Sequence, residues 1–232
     1  MSRTSAARAN AGTVLVLHGG QSESTALTSP AQLAVLRTVP LARAVRRAVG
    51  PAGVQVRRPR FTVRGWNGPC ASPVADVASW LDAAAGPVVL IGHSMGARAA
   101  LRAAGHPRVV AVAGLAPWLP PGEPVAQLAG RAVLLAHGGR DRVTSPAETW
   151  AFAELARAVT QVTTVSVAGG DHAMLAHPRG WHRLAADFAA AAFRLAAGRP
   201  GQGHGPGQGH RPGQGHRPGG SPRTRSRGPR RS

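Results

Sequence analysis

"VVLIGHSMGARAAL", residues 88–101, decides the reading of this chain. Four apolar residues run into Gly92-His93-Ser94-Met95-Gly96, and an alanine-rich segment with helical character follows. A serine between two glycines, at a point where a strand passes into a helix, has two explanations. It is an ordinary helix cap, or it is a nucleophile held on a sharp turn. In a chain with 30 glycines the G-x-S-x-G pattern alone is a weak signal. Its position between an apolar run and a helix makes it stronger.

The segments around it alternate in kind. Apolar runs occupy 13–20, 54–61, 87–92, 109–117, 132–139 and 161–170. Between most of them lie helical patterns, at 40–50, 73–86, 94–105, 145–159 and 180–198. The helix at 145–159 opens on Ser145, with Pro146 in its first turn and Glu148 three residues after the serine, a capping-box arrangement. The strand-like runs are nearly continuous Val, Leu, Ile and Ala rather than alternating. Both observations predict an α/β fold: a mostly parallel six-stranded sheet with helices on both faces. In such sheets reactive groups gather in the loops beyond the carboxyl ends of the strands.

Those loops hold a consistent set. His18-Gly19-Gly20-Gln21 follows the first strand, Ser94 the third, Asp141 the fifth and His172 the sixth. A serine hydroxyl needs a base within hydrogen-bond reach, and a histidine supplies one when a carboxylate fixes its tautomer. Ser94, Asp141 and His172 are therefore the candidate catalytic residues. A serine at the first turn of a helix leaves the next N–H, that of Met95, free for a developing oxyanion. The second donor is expected from the loop after the first strand, through Gly20 ahead of Gln21. Asp171 adjoins His172, but neighbouring side chains rarely align, so its expected role is to shape the loop. His18 is expected to bond backbone, and His93 to pack behind the turn. Gln21, Trp66, Trp118 and Leu119 lie near strand ends, where they either line a substrate pocket or simply pack. Arg57, Arg58, Arg60 and Arg64 read as a solvated basic face.

"HGGQ", "GHSMG", "GGRDRV" and "GGDHAML" together resemble the α/β-hydrolase superfamily, over residues 13 to about 197. The resemblance implies Ser94 as nucleophile, Asp141 as orienting acid, His172 as base, and Met95 and Gly20 as oxyanion donors. About 12 residues precede the first strand, and about a dozen separate "GLAPWLP" from "GRAVLLAHG". The implied form is a minimal, lid-less, esterase-like serine hydrolase without the family's two leading strands. It would cleave a small-molecule ester or related acyl bond and need no metal or organic cofactor. Thioesterase and serine aminopeptidase chemistry suit the same residues. The rival from another class is a non-catalytic ligand-binding protein whose basic tail docks on nucleic acid.

Bulk properties set the frame. The 232 residues suit one domain, expected at 13–197, with a short arm at 1–12. From Gly198 the chain becomes Gly, Pro, Gln, His and Arg, with hexapeptides such as "GQGHRP". That composition predicts a disordered basic tail at 198–232, carrying eight of the 28 arginines and no acid. Counterion release would let it touch nucleic acid or an anionic surface weakly; a repeat expansion with no role is the simpler account. His204, His210 and His216 recur every six residues and would catch a metal only weakly, since a tail of this composition is expected to offer no fixed ligand geometry. The chain has no Lys, so the net charge of +19 is entirely arginine and reads as coding bias as much as function. The one cysteine, Cys70, excludes an internal disulfide. Without a secretory h-region or a 20-residue apolar run, a cytoplasmic protein is the expectation.

Overall fold

A computed structural model describes residues 11–198. The expected N-terminal arm and the basic tail, with its possible nucleic-acid contact, lie almost wholly outside the described residues. Six strands, β1 (Thr13–Leu17), β2 (Gln55–Arg57), β3 (Val88–His93), β4 (Val109–Leu115), β5 (Ala132–Gly138) and β6 (Val162–Val167), form one sheet in the order β2-β1-β3-β4-β5-β6. Every neighbouring pair is parallel, as the unbroken apolar runs require. The helices are α1 (Leu33–Leu36), α2 (Thr38–Val49), α3 (Ser72–Asp82), α4 (Met95–Arg102), α5 (Pro146–Arg157) and α6 (Pro178–Ala197).

Alternation along the strands sends side chains to two cores. Val14, Val16, Val89 and Ile91 face α2 and α6, against Leu41, Val45, Trp181 and Ala185. Leu15, Leu17, Val88 and Leu90 face the other side, with Val77, Leu81, Ala100 and Phe152 from α3, α4 and α5. With so few aromatic residues, small Ala side chains on α4 and α6 let those helices sit close to the sheet. The edge strand β6 has exposed Thr163, Thr164 and Ser166, which suits its half-covered position.

The strand order creates the crevice. From β1 the chain crosses one face through α2 to reach β2; from β3 it crosses the opposite face through α4 to reach β4. The loops leaving β1 and β3 therefore diverge at adjacent strands, which is the switch point where open α/β sheets bind ligands. "HGGQ" and Ser94 both sit there.

The differences from the expected elements are local. α2 begins at Thr38 with Pro40 in its first turn, where the missing N–H has no helical partner to lose. The run 54–61 keeps only three strand residues, because Pro59 has no N–H with which to continue the pairing. The short α1 carries no long apolar period and was not predicted. α6 starts two residues earlier than expected, at Pro178, a position the fixed φ of proline favours.

Candidate active site

Ser94 has φ 55° and ψ −120°, a backbone conformation that L-residues rarely adopt. Its N–H donates to the Leu115 carbonyl at 3.1 Å, tying the turn to β4. The flanking glycines are forced by contact. A Cβ on Gly92 would lie 2.3 Å from the Gly96 carbonyl oxygen, and one on Gly96 would lie 2.4 Å from that of His18. The helix therefore leaves the strand at a distance that only glycine permits. A capping serine would bond its hydroxyl to a first-turn N–H; Ser94 makes no such bond.

The Ser94 hydroxyl instead faces His172, with Oγ 3.1 Å from Nε2. The other ring nitrogen, Nδ1, donates to Asp141 Oδ2 at 2.8 Å. Residues 94, 141 and 172, far apart in sequence, thus form one continuous chain of hydrogen bonds at the carboxyl rim of the sheet. Ser94 is 8 % exposed, so its hydroxyl is sheltered without being sealed.

Asp141 sits in a dense field of donors. Oδ1 accepts from the N–H groups of Val143 and Thr144 at 2.8 and 2.9 Å. Oδ2 accepts from His172, from Thr144 Oγ1 at 2.9 Å and from His137 Nε2 at 3.0 Å. Burial alone would push its acidity down. The Thr144 and Val143 N–H groups, and then His172, outweigh that and hold the carboxyl below its usual range. Asp141 therefore stands ionised and oriented.

The base loop is fixed independently. Asp171 Oδ1 accepts from the N–H groups of Leu175 and Ala176, at 2.8 and 3.0 Å. This shapes the loop as expected, by bonds that reach four and five residues along the chain. Met174 takes φ 57° and buries its side chain among Val89, Ile91 and Trp181. His93, beside the nucleophile, is buried and donates through Nε2 to the His172 carbonyl at 2.7 Å. Burial, with His172 nearby, lowers its pKa to about 3, so it is neutral. His18 bonds backbone on both sides: Nδ1 donates to the Gly19 carbonyl at 2.6 Å, and Nε2 accepts from the Phe61 N–H at 3.1 Å. Burial lowers its pKa as well.

The Gln21 N–H is occupied by the Arg64 carbonyl at 2.9 Å. Among the described residues no acceptor takes the N–H of Gly20 or of Met95. The two residues touch: a Cβ on Gly20 would fall 2.3 Å from Met95 Cε. Gly19, one residue before Gly20, lies against the serine: a Cβ there would fall 3.3 Å from Ser94 Cβ.

The expected pocket residues are placed differently from one another. Gln21 is exposed at the rim. Trp66 and Leu119 are 3 % and 2 % exposed, within the core beside α4. Trp66 and the half-buried Trp118 clasp the Arg98 guanidinium, whose Cζ lies 3.8 and 4.5 Å from the two ring centroids. Arg98 and Arg102 in turn share Glu123, each at 2.6 Å. Of the basic loop, Arg58 is tied to the Val35 carbonyl and Thr38 Oγ1. Two neighbours of the site carried no role in the sequence reading: His137 and Thr144. A histidine in the apolar run "AVLLAHG", four residues before Asp141, was the available signal.

Known proteins supply the remaining comparison. Est1E from Butyrivibrio proteoclasticus superposes with a TM-score of 0.59 at 14% identity, covering 80% of this chain and 89% of that one. A putative alpha/beta hydrolase from Agrobacterium tumefaciens gives 0.60 at 17% identity, covering 82% and 89%. A monoacylglycerol lipase from Paleococcus ferrophilus gives 0.58 at 15% identity, covering 78% and 94%. At these identities the likeness is one of fold. No curated protein matches the sequence. Among the described residues no helix is long and apolar enough to cross a membrane. The sequence profile described as "Alpha/beta hydrolase domain" matches residues 67–196. That match spans more than half of the chain, including the elbow, Asp141 and His172, and the chain belongs to the α/β-hydrolase family.

Proposed function

We propose that this protein is a serine hydrolase that cleaves an ester or related acyl bond through an acyl-serine intermediate. The observation that carries the reading is the chain Ser94–His172–Asp141, joined at 3.1 and 2.8 Å. His172 Nε2 takes the Ser94 proton as Oγ attacks the substrate carbonyl. The N–H groups of Met95 and Gly20 hold the oxyanion of the tetrahedral intermediate. Asp141 stabilises the imidazolium, which then protonates the leaving alcohol. Water, deprotonated by His172, attacks the acyl-serine and releases the acid. The residues between β4 and β5 contain only a short 3-10 turn, Ala126–Leu128, so no helical lid is inserted there. That favours substrates whose acyl group reaches an open rim.

A fluorophosphonate probe tests the reading directly. The wild-type chain should be labelled covalently and Ser94→Ala should not. Equal labelling of both would mean that the nucleophile lies elsewhere, and no labelling of either would remove the mechanism. A panel of chromogenic esters, thioesters and aminoacyl amides then ranks the leaving groups, with esters expected to turn over fastest.

A further inference from the structure

His137 lies at the end of β5, wholly buried, with its side chain at 0 % exposure. A buried imidazole in a strand of Val, Leu and Ala costs desolvation unless both ring nitrogens are matched. Both are matched here. Nε2 meets Asp141 Oδ2 at 3.0 Å, and Nδ1 meets Thr149 Oγ1 at 2.8 Å. The carboxylate only accepts, so Nε2 carries the hydrogen. Nδ1 then accepts from the Thr149 hydroxyl, whose other contact, the Ser145 carbonyl, is longer at 3.3 Å. Asp141 thus lies between two imidazoles, His172 on the rim and His137 beneath it.

We infer that His137 is a positioning residue for catalysis: with Thr149 behind it, it holds the Asp141 carboxylate at the angle and charge that His172 requires. This rests on the hydrolase reading above. One oxygen, Oδ2, receives both imidazole N–H groups, so movement at His137 transfers directly to His172. The backbone bonds from Val143 and Thr144 reach only Oδ1. Oδ2 is shared by His172, the Thr144 hydroxyl at 2.9 Å and His137, and His137 is the wholly buried member of the three. Burial lowers its pKa, so it acts as a neutral donor and not as a competing cation. The other groups facing the pair are Thr144, whose Oγ1 is 3.1 Å from His172 Nδ1, and His93, whose ring lies 5.0 Å from that of His172. Trp150 packs edge-on to His137 at 6.3 Å and adds no charge.

The test uses the full chain with 15N-labelled histidine, as wild type, His137→Leu, His137→Gln and Thr149→Val. Gln can place an N–H where Nε2 lies; Leu cannot. Two readouts are taken: the hydrogen-bonded N–H proton resonance of His172, and the rate of fluorophosphonate labelling against pH. Expected for His137→Leu are a displaced His172 N–H resonance, labelling slowed about tenfold or more at neutral pH, and an acidic limb moved to higher pH. The limb moves because Asp141, having lost a donor, holds the imidazolium form of His172 more strongly. His137→Gln should return all three towards wild type. Thr149→Val should shift them in the same direction by less, and it carries the test if the Leu variant does not fold. A Leu variant with the wild-type resonance and labelling profile overturns the inference. So does one that is merely slow, with resonance and limb unmoved and no rescue by Gln. If wild type itself takes no label, the hydrolase reading fails, and the resonance still decides whether His137 positions Asp141.

Discussion

The ring of His93 donates through Nε2 to the carbonyl oxygen of His172 at 2.7 Å, so the residue beside the proposed nucleophile also holds the loop that carries the proposed base. The two loops come from β3 and β6, three places apart in the sheet, and this bond fixes the distance between them. His93 Nδ1 is buried without a hydrogen-bond partner among the described residues. The arrangement therefore depends on His93 staying neutral.

That dependence has a pH consequence. His93 has its pKa lowered to about 3 in the fold, against about 6.5 unfolded. The unfolded chain binds the extra proton first, so the stabilisation is complete above about pH 6.5 and is lost as pH falls towards 3. His18 and His137, both with lowered pKa values, act in the same direction. Urea midpoints should fall steadily below pH 6.5, with His93 contributing at most about 1.4 kcal/mol per pH unit. His93→Gln should flatten that slope; an unchanged slope would contradict the account.

Ser94→Gly should make the protein more stable while abolishing fluorophosphonate labelling. Glycine tolerates φ 55° and ψ −120°, and releasing that strain outweighs the added entropy of the unfolded chain by about 1 kcal/mol. A rise in Tm of a few degrees, on the order of 2–4 °C, is expected. A fall in Tm would show that the elbow is not strained.

Gly20→Ala should slow turnover about 100-fold, as loss of one oxyanion donor does. The new Cβ would meet the Arg64 carbonyl oxygen at 2.4 Å, which is backbone and cannot swing away. The loop must move, and its N–H with it. Steady-state kinetics on a chromogenic ester measure this, with the loss expected in kcat more than in KM.

The two neighbouring acids separate cleanly. Asp141→Asn should cost on the order of 10³–10⁴ in kcat, because an amide nitrogen turned towards His172 favours the wrong tautomer. Asp171→Asn keeps an oxygen for the Leu175 and Ala176 N–H groups and should stay within a few-fold of wild type. The reverse result would reassign the acid.

Glu123→Ala should destabilise the fold by about 3–5 kcal/mol, since it leaves the buried Arg98 without its counter-ion between Trp66 and Trp118. Burial already pushes the Arg98 guanidinium down, with Glu123 pulling it back up, whereas the more exposed Arg102 is raised by its bond to the same carboxylate. Denaturant unfolding decides this; a loss below 1 kcal/mol would mean that water reaches Arg98.

What the sequence by itself determined was periodic or sharply local. Unbroken apolar runs separated by helical patterns gave the six parallel strands, because burial on both faces removes alternation. Glycines on both sides of Ser94 gave the elbow, because only they permit its approach to the next helix. Ser94, Asp141 and His172 were named as candidates from one rule, that reactive groups collect past strand ends. Only the tertiary structure decided which groups meet. That His137 lies beneath Asp141, that His93 reaches the His172 carbonyl, and that Trp66 and Trp118 enclose Arg98 follow from packing between elements distant in the chain. A hydrogen bond across a fold leaves no period in the sequence. The side chain that makes it reads as one more buried residue until its partner is in place.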